Sequence, residues 1–284
     1  MGLTELRLED KEKIESIRKK YKHYTSSHSF ISMYIWRKEY KLSLYLKKDI
    51  FTVKCEALGD NAWFFPCGSY KEKMNFISDN VASRDFILCY LREEDVKFLE
   101  QNFPGCFEFE GKNQDDEYLY SRLEWEELKG RKYAGIRNHI RRALKDNELK
   151  VEDISDENIS QINNIISIWN SEKKENADEH AAMELMKYYK EWDVRGIIVY
   201  VNNEPYAVVA GFAISEDMYD MCLAKQKGKL SGLSVYAKHS FITNLPENYS
   251  IINAEEDLGI QGLRTMKQQM QPIDKIKMYT GRIC

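Results

Sequence analysis

A chain of 284 residues with 43% hydrophobic and 12% aromatic residues can bury a sizeable core, either as one large domain or as two ordinary ones. Its formal net charge of −4 excludes a globally basic nucleic-acid binder, while 31% charged residues leave room for local patches of either sign. The six cysteines (Cys55, Cys67, Cys89, Cys106, Cys222, Cys284) form no CxxC pair, and the five histidines show no ligand spacing. The expectation is a reduced, cytoplasmic protein with no metal. Its first residues carry no signal pattern, no apolar run approaches the roughly 18 to 20 residues of a bilayer span, and no lipidation motif stands at either end.

In chain order, a charged helix is expected over residues 10–20, followed by the apolar stretch 29–36 and alternating strands at 41–46 and 50–55, with the turn at Lys47-Lys48-Asp49. Trp63-Phe64-Phe65 reads as a short strand stopped by Pro66-Cys67-Gly68, and Ser69 caps a helix carrying Tyr70, Met74 and Ile77. Residues 86–91 read as a buried strand. Glu93-Glu94-Asp95 then opens a helix at its dipole's positive end, and two strands follow at 106–110 and 117–120.

Residues 129–147 read as a helix with Arg131, Arg141, Arg142 and Lys145 on one side and Ile136, Ile140 and Leu144 on the other, and no acid stands between Lys129 and Lys145. This is the clearest basic patch, suited to an anionic partner: transfer RNA, a phospholipid headgroup or a nucleotide. The plainer reading is a solvated face pairing with Glu124, Glu126 and Glu127. Two amphipathic helices come next, through Ile159 to Trp169 and Leu185 to Trp192. Strands are expected at 196–201, 206–213 and 218–224, the first two joined by Asn202-Asn203. A Gly- and Lys-rich loop, a helix from about Leu233, a strand at 249–252, a helix after Gly262 and a last strand near 275–279 complete the chain.

The loop Lys225-Gln226-Lys227-Gly228-Lys229-Leu230-Ser231-Gly232 joins a strand to a helix. Gly228, Ser231 and Gly232 are therefore candidates for holding a phosphate or carboxylate of a donor on backbone N–H groups, with Ser231 as a plain helix cap the alternative. The acyl-CoA spacing of Arg or Gln, two residues, Gly, one residue, Gly or Ala is not met. The most informative stretch runs from Asn253 through Glu255-Glu256-Asp257 to Gly262, Arg264 and Lys267. It sets three carboxylates at a strand's carboxyl end, where ligands bind in open α/β sheets. Crowded carboxylates split their pKa values, so Glu256, with Glu255 beside it, is the candidate proton-handling group. Asp257, Arg264 and Lys267 are candidates for orienting substrate, Tyr236 and Tyr279 for reaching it. Capping acids with exposed cations are the plainer reading.

That stretch, with Gln271-Pro272 after it, resembles the phosphatidylglycerol lysyltransferase C-terminal domain family. So do Ser29-Phe30 with Tyr34-Ile35-Trp36-Arg37-Lys38-Glu39-Tyr40, Phe64-Phe65-Pro66-Cys67-Gly68, Asp116-Glu117-Tyr118-Leu119-Tyr120, and Leu128 to Tyr133 with Arg137-Asn138-His139. The resemblance implies an α/β protein with mixed sheets in two tandem domains similar to the acyl-CoA N-acyltransferase (GNAT) fold: 1–128, a basic connecting helix at 129–150, and 151–284 with the active cleft. Element order alone leaves one large α+β domain open. The implied activity is direct acyl or aminoacyl transfer from aminoacyl-tRNA or acyl-CoA to an amine or hydroxyl, with a peripheral position at a membrane surface also in view. Where the family reads Asn-Arg-Glu-x-Asp-Leu-Gly, Ala254 replaces the arginine. That departure favours the alternative, a noncatalytic small-ligand module on the same fold.

Overall fold

The computed structural model describes residues 2–145, 147–172 and 178–284. The chain builds two compact units, the first from residues up to Glu117 with Glu256–Ile260 and Lys275–Cys284, the second from Tyr118–Glu255 with Gln261–Asp274.

The sheet of the first unit runs Thr4–Glu5, Leu42–Lys47, Ile50–Cys55, Ala62–Phe64, Ile87–Leu91, Tyr279–Ile283, Phe107–Gly111, with Cys67–Gly68 also against Ile50–Cys55. Lys47 pairs with Ile50, so the expected turn is a tight one over Lys48 and Asp49. All pairs are antiparallel except Ala62–Phe64 with Ile87–Leu91. A parallel pair needs a crossover, here the helix Tyr70–Asn80. The Ser69 hydroxyl accepts the Glu72 N–H at its start, as the sequence indicates, and Phe76 and Ile77 bury its inner face. They join Trp63, Phe65, Phe86, Leu88 and Phe107 in an aromatic core.

Two details depart from expectation. The strand expected at 86–91 forms as Ile87–Leu91 but is bulged: Tyr90 has φ +54°, and the pairing with Tyr279–Ile283 slips there, so two residues face one. A β-bulge of this kind re-aims a side chain, and a bulky residue in the left-handed region carries strain. The last strand is Tyr279–Ile283, later than expected, and it lies in the first sheet. Local patterning gives a strand's existence and not its partner, so chain order was no guide here.

The second sheet runs Asp274–Ile276, Glu117–Ser121, Ile251–Asn253, Met218–Gln226, Glu204–Ala213, Arg195–Val201, Leu149–Asp153. Asn202 and Asn203 both have positive φ, the two-residue hairpin turn their sequence predicts. The helix Leu233–Asn244 buries Leu233, Ala237, Phe241 and Ile242 in a core shared with Val199, Val209, Tyr219 and Ile252. The basic segment is a short 3-10 turn, Arg131–Tyr133, followed by the helix Ala134–Lys145.

Candidate active site

In the second unit the strands flanking the Leu233–Asn244 helix are parallel, and they pair only at Met218 with Ile251, Tyr219 with Ile252 and Asp220 with Asn253. The strand Met218–Gln226 continues for six residues beyond that point, held on its other side by Glu204–Ala213. Past Asn253 the chain turns away. The Ala254 N–H donates to the Tyr118 carbonyl, Glu255 takes φ +57°, and its N–H donates to the Asn253 side chain at 2.8 Å. The sheet therefore opens at Asp220 and Asn253, both fully buried, and the opening lies where ligands sit in such folds.

Charged groups are buried in the same unit. Burial, and then the charges of Asp220 and Glu255, hold the Cys222 thiol well above its ordinary pKa. The Lys267 ammonium, buried, donates to the carbonyls of Ala254 and, at 3.1 Å, Glu255. It holds both carbonyls of the turn at Glu255. Lys238 is buried on the neighbouring helix and donates to the Ser234 hydroxyl at 3.0 Å, with the Met266 sulfur at 3.2 Å. Burial, with Lys267 nearby, lowers its pKa to about 8.

Of the residues singled out in the sequence, Glu255, Lys267 and Arg264 lie in this second unit, Arg264 and Lys267 on the helix Gln261–Gln269. Tyr236 is half-buried on the Leu233–Asn244 helix, among residues packed on the second core. Glu256 and Asp257 belong to the first unit. The Glu256 charge, after burial, helps raise the pKa of Tyr90, and Asp257 accepts the Gly259 N–H at 2.9 Å in a local turn. Tyr279 is in the first unit's sheet, packed on its aromatic core.

The glycine loop is plainer than its composition suggests. Gly232, not Ser231, occupies the position preceding the helix, with φ +83°, and a Cβ there would lie 2.0 Å from the His139 carbonyl. Its close approach is to the basic helix. Gly228, also at positive φ, lies against the Tyr206 hydroxyl, and Ser231 is exposed. On the basic segment Lys132 pairs with Glu124 and Lys129 with Glu127, which the plainer reading anticipated. Arg131, Arg141, Arg142 and Lys145 stay exposed, and Arg141 donates to Asn138 at 3.4 Å.

Lys238 and Asp220 were not read from the sequence. Lys238 had a signal, because it falls in the buried stripe of Leu233, Ala237, Phe241 and Ile242, where a lysine is out of pattern. Among the described residues no group of three or more His, Cys, Asp or Glu could hold a metal ion, and no helix is long and apolar enough to cross a membrane.

The fold is shared with solved structures. A conserved protein of unknown function from Bacteroides thetaiotaomicron VPI-5482 superposes with a TM-score of 0.91 at 23% identity over 100% of both chains. L-PGS from Bacillus licheniformis gives 0.67 at 14% identity, over 98% of this chain and 92% of that one. FemX gives 0.66 at 9% identity, over 100% of this chain and 98% of that one. The architecture is a mixed α/β one with two mixed sheets, as the sequence implied. No curated protein matches the sequence. The family model for phosphatidylglycerol lysyltransferase, C-terminal, matches residues 18–281, and the chain belongs to that family.

Proposed function

We propose that the protein is an aminoacyl- or acyltransferase that moves an activated acyl group directly onto an amine or hydroxyl at the opening beside Asp220 and Asn253. One observation carries this reading: in a chain of this family, the parallel pair stops at Asp220 and Asn253, and the chain leaving it turns at Glu255, whose carbonyl Lys267 holds. The acceptor's nucleophilic atom attacks the donor's ester or thioester carbonyl and gives its proton to the Glu255 carboxylate. The carbonyl oxygen takes the electron pair, and the lysine ammonium groups at the opening offset its charge. Collapse breaks the bond to the leaving hydroxyl or thiol, which takes the proton back from Glu255. No covalent enzyme intermediate forms.

The donor is aminoacyl-tRNA or acyl-CoA, and the exposed Arg131, Arg141, Arg142 and Lys145 are its anion-binding residues. A membrane phospholipid headgroup is the acceptor that the family name suggests. Purified protein is incubated with charged transfer RNAs or acyl-CoA donors, with phosphatidylglycerol vesicles or soluble amines as acceptors. Transfer is expected with one donor class, and Glu255→Gln is expected to lower kcat by about 100-fold or more. Equal turnover in that variant removes Glu255 as the proton acceptor. Ala254 in the family's arginine position favours a second reading, a binding module. Saturable donor binding with no transfer to any acceptor, unchanged in Glu255→Gln, would establish it.

A further inference from the structure

The first unit contains a pocket of about 180 Å³ that no part of the transfer reading uses. Its lining combines Tyr40, Leu58, Ile87, Cys89, the bulged Tyr90 and Leu258 with the polar Lys112, Gln114, Asp115, Thr280 and Arg282. Every one of these residues belongs to the first unit. The turn from Lys112 to Asp115 is closed by the Asp115 N–H donating to the Lys112 carbonyl at 2.8 Å. Leu258 is tied to it, because its N–H donates to the Gln114 carbonyl at 3.0 Å.

Three features define what fits. Among the described residues, neither Lys112 nor Arg282 makes a side-chain hydrogen bond or an ion pair, so two cations face the pocket with their donors uncommitted. Asp115 is the single carboxylate on the lining, half-buried, with a pKa raised first by burial and then by Asp116 and Asp257, against the pull of Lys112 and Gln114. A carboxylate in that state gains from an added cation. Cys89 adds no charge, because burial pushes its thiol up to about 12. The pocket is also too small for a nucleotide or coenzyme, which need cavities of roughly 300 Å³ or more. Tyr90 on the lining has φ +54°, the kind of outlier that collects at ligand sites.

We infer that this pocket binds a small zwitterion of the α-amino-acid type, its carboxylate on Lys112 and Arg282, its ammonium on Asp115, and its short side chain against Tyr40, Tyr90 and Leu258. The site is independent of the transfer chemistry, and it requires no reaction.

Calorimetric titration and thermal shift of the whole chain test it, with the common amino acids, their des-amino carboxylic acids and inorganic phosphate, each up to about 10 mM. At least one amino acid is expected to bind saturably and better than its des-amino counterpart or phosphate. Asp115→Asn should weaken that amino acid by about tenfold or more and leave the des-amino acid unchanged. Lys112→Gln with Arg282→Gln should weaken both. These exposed or half-buried side chains lie outside the core, and the melting temperature without ligand reports whether each variant folds. Glu255→Gln should leave binding untouched, so loss of transfer and loss of binding are separable. Failure of every amino acid to bind, equal binding of phosphate or the des-amino acid, or binding indifferent to all three substitutions would overturn the assignment.

Discussion

The two units repeat one device, a parallel strand pair bridged by a helix, and differ in what closes it. In the first unit Ala62, Trp63 and Phe64 pair with Ile87, Leu88 and Cys89, and the Phe65 N–H still donates to the Cys89 carbonyl at 2.9 Å. The polar interior there includes neutral imidazoles. His28 bonds the Phe65 carbonyl at 2.8 Å, and His23 lies 3.9 Å from it, ring centroid to ring centroid. In the second unit the pair stops at Asp220 and Asn253, and its buried charged groups include Lys238 and Lys267. Equal topology thus gives unequal chemistry. Imidazole gives up its charge cheaply on burial, whereas a lysine ammonium keeps it at a cost, and such costs persist where a charge is used.

If the second opening is built into the sheet, disturbing its register has the largest effect. Gly211 lies at the slip between Glu204–Ala213 and Met218–Gln226, and a Cβ there would fall 1.7 Å from the Asp220 carbonyl. Backbone cannot yield as a flexible side chain does. Gly211→Val is expected to destabilise the protein by about 4 kcal/mol or more, in the far tail of single substitutions. A denaturant midpoint close to wild type would mean that Asp220 is not held where the pairing puts it.

Acid separates the units next. Burial lowers His28 to about 4 from its ordinary 6.5 and lowers His23 in the same direction. The unfolded chain then binds the extra protons as pH falls from 6.5 towards 4, so first-unit stability is present above that window and lost within it. The loss is about 3 kcal/mol for His28 alone. Hydrogen exchange at pH 7 and pH 4 reads this. Amides of Ile87–Leu91 should lose protection before those of Arg195–Val201, and the reverse order would contradict the histidine account.

What the sequence disclosed follows from the range of each interaction. Ser69 as a cap, the Lys48-Asp49 and Asn202-Asn203 turns and the helix through Ile159 and Trp169 are local and stand as read, whereas the helix read through Leu185 and Trp192 is Glu179–Lys187, with Tyr189 and Trp192 in the turns after it. The destination of Tyr279–Ile283 is set by long-range pairing, and nothing within those residues records it. The same holds at the site. The Asn253 to Lys267 stretch was recognisable as chemistry, but three consecutive carboxylates do not announce that Glu255 belongs to the second unit and Glu256 to the first. A turn at positive φ divides them, and that turn depends on Lys267, twelve residues away.

A smaller effect probes the buried lysines. Lys238, held at about 8 against an ordinary 10.5, costs the folded state about 3 kcal/mol below pH 8, offset in part by its contacts with Ser234 and Met266. Lys238→Met should therefore stabilise the protein by about 2 kcal/mol at pH 7. Between pH 8 and 10.5 the unfolded chain holds the proton more tightly, wild type gains stability as pH rises, and the advantage of the variant shrinks to nothing. Denaturation at pH 7 and pH 10 checks both ends. A variant less stable at pH 7 would show that the lysine is better solvated than its surroundings indicate.

The smallest effect on stability belongs to the outer face of the second unit and carries the sharpest functional contrast. Arg141 and Arg142 project from the helix Ala134–Lys145, and Arg141 has only a long hydrogen bond to Asn138 to lose, so replacing both with Ala should change stability by less than about 0.5 kcal/mol. The lysines and glutamates before that helix already pair with one another, through Lys129 with Glu127 and Lys132 with Glu124. The charge left over is therefore concentrated on Arg131, the two arginines and Lys145. If an anionic donor docks there, the double variant should bind bulk transfer RNA more weakly, with a log–log salt dependence shallower by about 2. An unaltered affinity and slope would reduce this helix to a solvated face and leave the opening at Asp220 and Asn253 to be reached by a donor that needs no such surface.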